Sequence, residues 1–89
     1  MKKYKLIIKE EADFEIISTY KWYENKSDGL GEKFLLQLEK SFNAIDINPN
    51  SFQVVYKEQR QAILNKFPFV IIYQQINLEI IVFAVFHTS

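Results

Sequence analysis

The chain is 89 residues long, 48% apolar and 16% aromatic, with no cysteine and a formal net charge of zero. Residues 1–89 therefore form a single domain with one core, and a domain this small hides only about 60–65% of its unfolded surface, so dense packing matters. The composition excludes disulfides and thiolate metal sites and fits a reducing cytoplasm. It also lacks the basic excess with which nucleic-acid-binding domains usually meet phosphate backbones, so direct nucleic-acid binding is not expected.

The start, Met1-Lys2-Lys3-Tyr4-Lys5, is basic but leads into only three apolar residues, Leu6 to Ile8. That is too short for a secretory signal, and no later run approaches the roughly 20 apolar residues of a membrane span. Residues 3–9 read as a first strand. From Glu11 the period changes: Ile16, Tyr20 and Tyr23 recur at helical spacing, with Phe14 and Ile17 widening the stripe, which predicts an amphipathic helix over 11–27. Glu10, Glu11, Asp13 and Glu15 sit where a helix N-terminus favours acids. Asp28-Gly29-Leu30-Gly31 then stops it.

A second helix is predicted from Glu32 to Ile47, with Leu35, Leu38, Phe42 and Ile45 on its apolar side and Asn48-Pro49-Asn50 at its end. Two helices across so short a turn form an antiparallel hairpin. Residues 51–59 read as an irregular connection, 60–65 as a short strand, and 68–76 and 79–86 as long strands joined at Asn77-Leu78. On the last strand, strict alternation places Ile80, Val82, Ala84 and Phe86 on one face and Ile81, Phe83, Val85 and His87 on the other. Such continuous apolarity marks a central strand or one awaiting a partner. The expected fold is α+β: a strand, a helical hairpin, then three strands in a mostly antiparallel sheet.

Chemistry-bearing residues are few. His87 is the only histidine and Arg60 the only arginine, and Gly29-Leu30-Gly31 is a turn rather than a phosphate loop. No metal or cofactor is implied. Arg60, Lys66 and His87 are the weak catalytic candidates, each with a plainer role open to it: an ion pair for Arg60, a loop hydrogen bond for His87. Tyr56, Phe69 and Tyr73 are expected in the core. Trp22 lies off the apolar stripe and, with Ile80, Val82 and Phe86 on one strand face, makes up the candidate partner-binding set.

Several of these runs, taken in order, resemble the RelE/ParE superfamily of type II toxin–antitoxin and plasmid-stabilisation toxins. They are Gly29-Leu30-Gly31-Glu32-Lys33-Phe34, Asn48-Pro49, Val54-Val55-Tyr56, Arg60, Phe67-Pro68-Phe69-Val70-Ile71-Ile72-Tyr73 and Ile80-Ile81-Val82-Phe83-Ala84-Val85-Phe86-His87. The resemblance implies a bacterial cytoplasmic toxin with a cognate antitoxin as partner. The RNA-cleaving branch carries basic groups in its central strands, which a nuclease needs to offset phosphate charge. Here Val70, Gln61 and Ile63 stand at those positions. The likeness is thus to the ParE-like branch, which includes DNA gyrase inhibitors that act by binding. A ribosome-dependent endoribonuclease using Arg60, Lys66 and His87 stays as an alternative, as does a non-toxic antitoxin-binding module. The family pattern continues past the final histidine with an arginine and a short tail absent from this sequence, which makes weakened toxicity an expectation. Homodimerisation is left open.

Overall fold

A computed structural model describes residues 3–88. Strand β1 (Lys5–Ile8) leads directly into helix α1 (Glu10–Lys26), whose first turn carries Glu10, Glu11 and Asp13 and whose last carries Lys26, charges that complement the helix dipole. Ala12, Ile16 and Thr19 are its buried residues, spaced four and three apart. The predicted widening of this stripe fails, because Phe14 is 67% and Ile17 46% exposed. At about 100° of turn per residue, Phe14 lies roughly 200° from Ile16, on the side facing solvent. The small Ala12 takes the inward position instead.

The turn into α2 (Leu30–Ile47) depends on two glycines for different reasons. Gly29 adopts φ 86°, a left-handed conformation that costs an ordinary side chain energy. Gly31 sits where the helices touch: a Cβ there would fall 2.7 Å from the carbonyl oxygen of Tyr20. The Glu24 carboxylate closes the turn by accepting from the Gly29 and Gly31 amides at 3.2 and 2.8 Å. It thereby satisfies N–H groups that the start of a helix leaves without intrahelical partners. Gly31, Phe34, Leu38 and Ile45 are buried, while Leu35 and Phe42 pack at the margin of the core.

After a 3-10 turn at Pro49–Ser51 the chain forms β2 (Gln53–Tyr56), β3 (Gln59–Ile63), β4 (Phe69–Ile76) and β5 (Glu79–His87). Four strands therefore follow the hairpin rather than three. The segment read as irregular contains β2, a short edge strand whose existence depends on pairing with β3 and whose register shifts between Val54 and Tyr56. Tyr56 belongs to that edge and is 60% exposed, against the expectation that it lies in the core. The sheet order is β1-β5-β4-β3-β2, with β1 parallel to β5 and every other pair antiparallel. Asn77, at φ 54°, makes the tight turn between β4 and β5.

Both helices pack on one face of this sheet. Phe34, Ile45, Ile71, Tyr73, Ile80, Val82 and Val85 are fully buried there, and Tyr23, Phe34, Phe67 and Phe69 form an aromatic cluster in which Phe67 meets Tyr23 and Phe34 edge-on, Phe34 meets Phe69 edge-on, and Tyr23 and Phe34 are tilted at 36°. Strict alternation along β5 breaks at Phe83. Tyr73 pairs with Val82 but Ile72 pairs with Ala84, so one extra residue sits on β5. The bulge exchanges the two faces: Ile80 and Val82 point to the helices before it, Val85 and His87 after it. Ile80 (1% exposed) and Val82 (0%) are thus core residues, which removes them from the partner-binding set, whereas Phe86 lies on the far face at 44%.

Candidate functional site

The three catalytic candidates do not converge. Arg60 pairs with Tyr73 and His87 pairs with Phe69, four residues apart on β4, a separation of about 13 Å along the strand. The Arg60 guanidinium donates to the carbonyls of Phe52 (2.7 Å) and Asn50 (3.2 Å), so it ties down the connection after α2. Its charge also acts on Tyr73, whose phenol is pushed up to about 12 by burial and pulled back in part by that cation. Lys66 stands in the turn between β3 and β4 at φ 72° and lines a cleft against α2. His87 meets the Phe69 ring edge-on at 5.1 Å and opens onto α1 instead. These are three separate places on the surface.

His87 and Trp22, far apart in sequence, share one small hollow. Its volume is about 300 Å³ and its walls are Ser18, Thr19, Trp22, Phe69 and His87. Trp22 is 57% exposed as the sequence suggested, with its ring against Tyr23 at 5.1 Å and the Lys26 ammonium 4.8 Å above it. Among the described residues, no group of three His, Cys, Asp or Glu side chains is placed to hold a metal ion. No helix is long and apolar enough to cross a membrane.

The larger surface is the far face of the sheet. By register, Ile7 and Ile81 share it, as do Ile63, Val70 and Phe86 across β3, β4 and β5, with Ile72 and Ala84 between. Val70 is 4% exposed yet stands outside the core cluster, flanked by the side chains of Ile63 and Phe86. Ile63 itself is 67% exposed. Both helices lie on the opposite side, so this apolar strip has no layer over it among the described residues. Sequence reasoning missed Ile63, Val70 and Ile72 as one patch because the bulge at Phe83 decides which β5 residues join them. Only the alternation of Ile63 with Ala62 and Leu64 hinted that one β3 residue faces outward.

A five-stranded sheet, parallel at one edge and covered on one face by an N-terminal helical hairpin, is the RelE/ParE toxin fold. The sequence matches the ParE toxin family, the ParE toxin of the type II toxin-antitoxin system parDE, over residues 6–89, and the chain belongs to that family. A solved structure of the chromosomal ParDE toxin–antitoxin system from P. aeruginosa has the same fold, with a TM-score of 0.83 over 98% of each chain at 13% identity. No curated protein matches the sequence.

Proposed function

We propose that this chain is the toxin of a type II toxin–antitoxin pair, that it works in the bacterial cytoplasm by binding a cellular target, and that a cognate antitoxin neutralises it. Family membership over residues 6–89 supports the toxin role. The observation that carries the binding reading is the apolar strip on the far face of the sheet, where exposed Ile63 and Phe86 flank the buried Val70 and half-buried Ile72 continues the row. Contiguous apolar surface of this kind marks a site for another macromolecule. An antitoxin segment laid along it would cover what the helical hairpin leaves open. The wide separation of Arg60, Lys66 and His87 favours binding over RNA cleavage, since phosphodiester chemistry needs its acid, base and charge-stabilising groups around one phosphate.

DNA gyrase is the first target to test. Induced expression is expected to arrest growth with filamentation, and the purified chain to inhibit gyrase supercoiling while messages stay intact by primer extension. Co-expression of the adjacent small gene of the operon is expected to restore growth. Normal growth of induced cells that contain the folded chain would overturn the toxin reading, and cleaved messages would replace it with the nuclease alternative.

A further inference from the structure

The far face of the sheet is not only apolar; its interior also carries no charge. By register, Ile63, Val70 and Phe86 form one row across it, and Gln53, Gln61, Ile72 and Ala84 form the next. Gln74 and Ile81 follow, with Ile7 beside them. Charged groups stand at the rim: Lys57 over the Tyr56 ring at one corner, and Lys5 in register with Glu79 at the other. We propose that this face is a two-fold interface between two copies of the chain, packed sheet against sheet. The pairing does not depend on the function proposed above. The two meet only in that an antitoxin on the same strip must displace the second copy.

Three features make the face complementary to itself. In a two-fold contact the same patch meets its own copy, so a net charge there would oppose a like charge. A neutral face escapes that cost. The relief matches as well. Ile63 (67% exposed) and Phe86 (44%) stand up on either side of Val70 (4%), so a copy turned through 180° lowers its Ile63 into the other's dip and receives the same in return. Amides supply the third feature. Gln61 Nε2 donates to Gln53 Oε1 at 3.0 Å, a bond that uses one N–H and one carbonyl of the pair. A primary amide has two N–H groups and an oxygen with two lone pairs, so the Gln53 N–H of each copy has the Gln61 carbonyl of the other as an acceptor.

The size is sufficient for a weak dimer. Five strands about 4.8 Å apart, and roughly six residues along β4, give a face near 20 Å on each side. With side-chain relief this is about 600 Å² of accessible surface per copy, or about 1,200 Å² in all, at the lower bound of specific protein interfaces. Dissociation in the micromolar range is therefore expected.

Sedimentation velocity of the full chain from about 1 to 200 µM tests the pairing. The sedimentation coefficient is expected to rise with concentration to that of a dimer. Phe86→Glu sets carboxylates into the apolar contact and is expected to weaken the dimer at least about tenfold. Ile63→Lys, at a position open to solvent in the single chain, is expected to do the same and keeps the test decisive should Phe86→Glu unfold. Phe14→Glu, an equally exposed apolar site on α1, is expected to leave the dimer unchanged. A chain that stays monomeric to 200 µM would leave the strip to the antitoxin and overturn the proposal. So would a dimer indifferent to both Ile63→Lys and Phe86→Glu, or one lost equally in Phe14→Glu. None of these results bears on whether the chain arrests growth, so the toxin reading stands or falls separately.

Discussion

Removing one oxygen from Tyr73 tests how this small core is held to its connection. The Tyr73 hydroxyl donates to the Pro49 carbonyl at 2.6 Å, joining β4 to the turn that ends α2, and both residues are buried. Tyr73→Phe keeps the ring and its edge-on contact with Phe52 (6.0 Å) but deprives that carbonyl of this donor. A net hydrogen bond contributes about 0.5–1.5 kcal/mol, and a buried acceptor left unpaired adds to the loss, so the expected cost is about 1–2 kcal/mol. For a domain of this size that lowers Tm by roughly 5–15 °C. Thermal and urea unfolding followed by circular dichroism measure it, and a loss below about 0.5 kcal/mol would refute the reasoning by showing that water replaces the hydroxyl. The pH dependence gives a second check. Tyr73 titrates near 10 when unfolded and about 12 when folded, so its contribution is complete below pH 10 and is lost as pH rises through 12. The gap between wild type and Tyr73→Phe is therefore expected to stay constant from pH 7 to 9 and to narrow above about pH 10. A gap independent of pH across that range would sink the assignment.

Three further outcomes are expected. Gly31→Ala places a methyl against the Tyr20 carbonyl and is expected to cost about 2 kcal/mol or more, whereas Gly29→Ala meets nothing within 4 Å and costs only its left-handed strain, about 1 kcal/mol. Chemical denaturation of the two variants ranks them, and a reversed order would contradict the close helix contact. Asp46 accepts from the Lys3 and Tyr4 amides, both at 2.9 Å, so Asp46→Ala is expected to lose about 1–2 kcal/mol and to speed amide exchange at the strand β1 end; unchanged exchange there would argue against the tether. Phe86→Glu, on the far face, is expected to leave folding within about 1 kcal/mol of wild type while weakening antitoxin binding at least tenfold, and Val82→Asp to abolish folding. Pull-down with the antitoxin and circular dichroism separate the two, and full antitoxin binding by a folded Phe86→Glu variant would move the interface elsewhere.

The elements that could be read from sequence are those whose residues carry their own period or punctuation. Ile16 and Tyr23, Leu38 and Ile45, the Gly29 turn, Asn48-Pro49 and the two apolar strands all announce themselves within a few residues, and together with their order they also carry the family likeness. The edge strand β2 could not be read in this way, because its pairing with β3 is a property of two segments. The same limit applied to the surface. Trp22 was identified from its place off the stripe, but its shared hollow with His87 needed α1 laid beside the end of β5.

Sequence alone thus determined the α+β class, the helical hairpin, the paired long strands and the membership of the RelE/ParE superfamily, because local periodicity and the order of motifs are written along one chain. Tertiary structure decided which apolar residues are buried and which stay on the surface. A single extra residue at Phe83 sends Ile80 and Val82 into the core and Phe86 to the open face, and side-chain direction in a strand reverses with every such step. The separation of Arg60, Lys66 and His87 follows from the same cause: distance through space is set by pairing and packing, which no local pattern encodes.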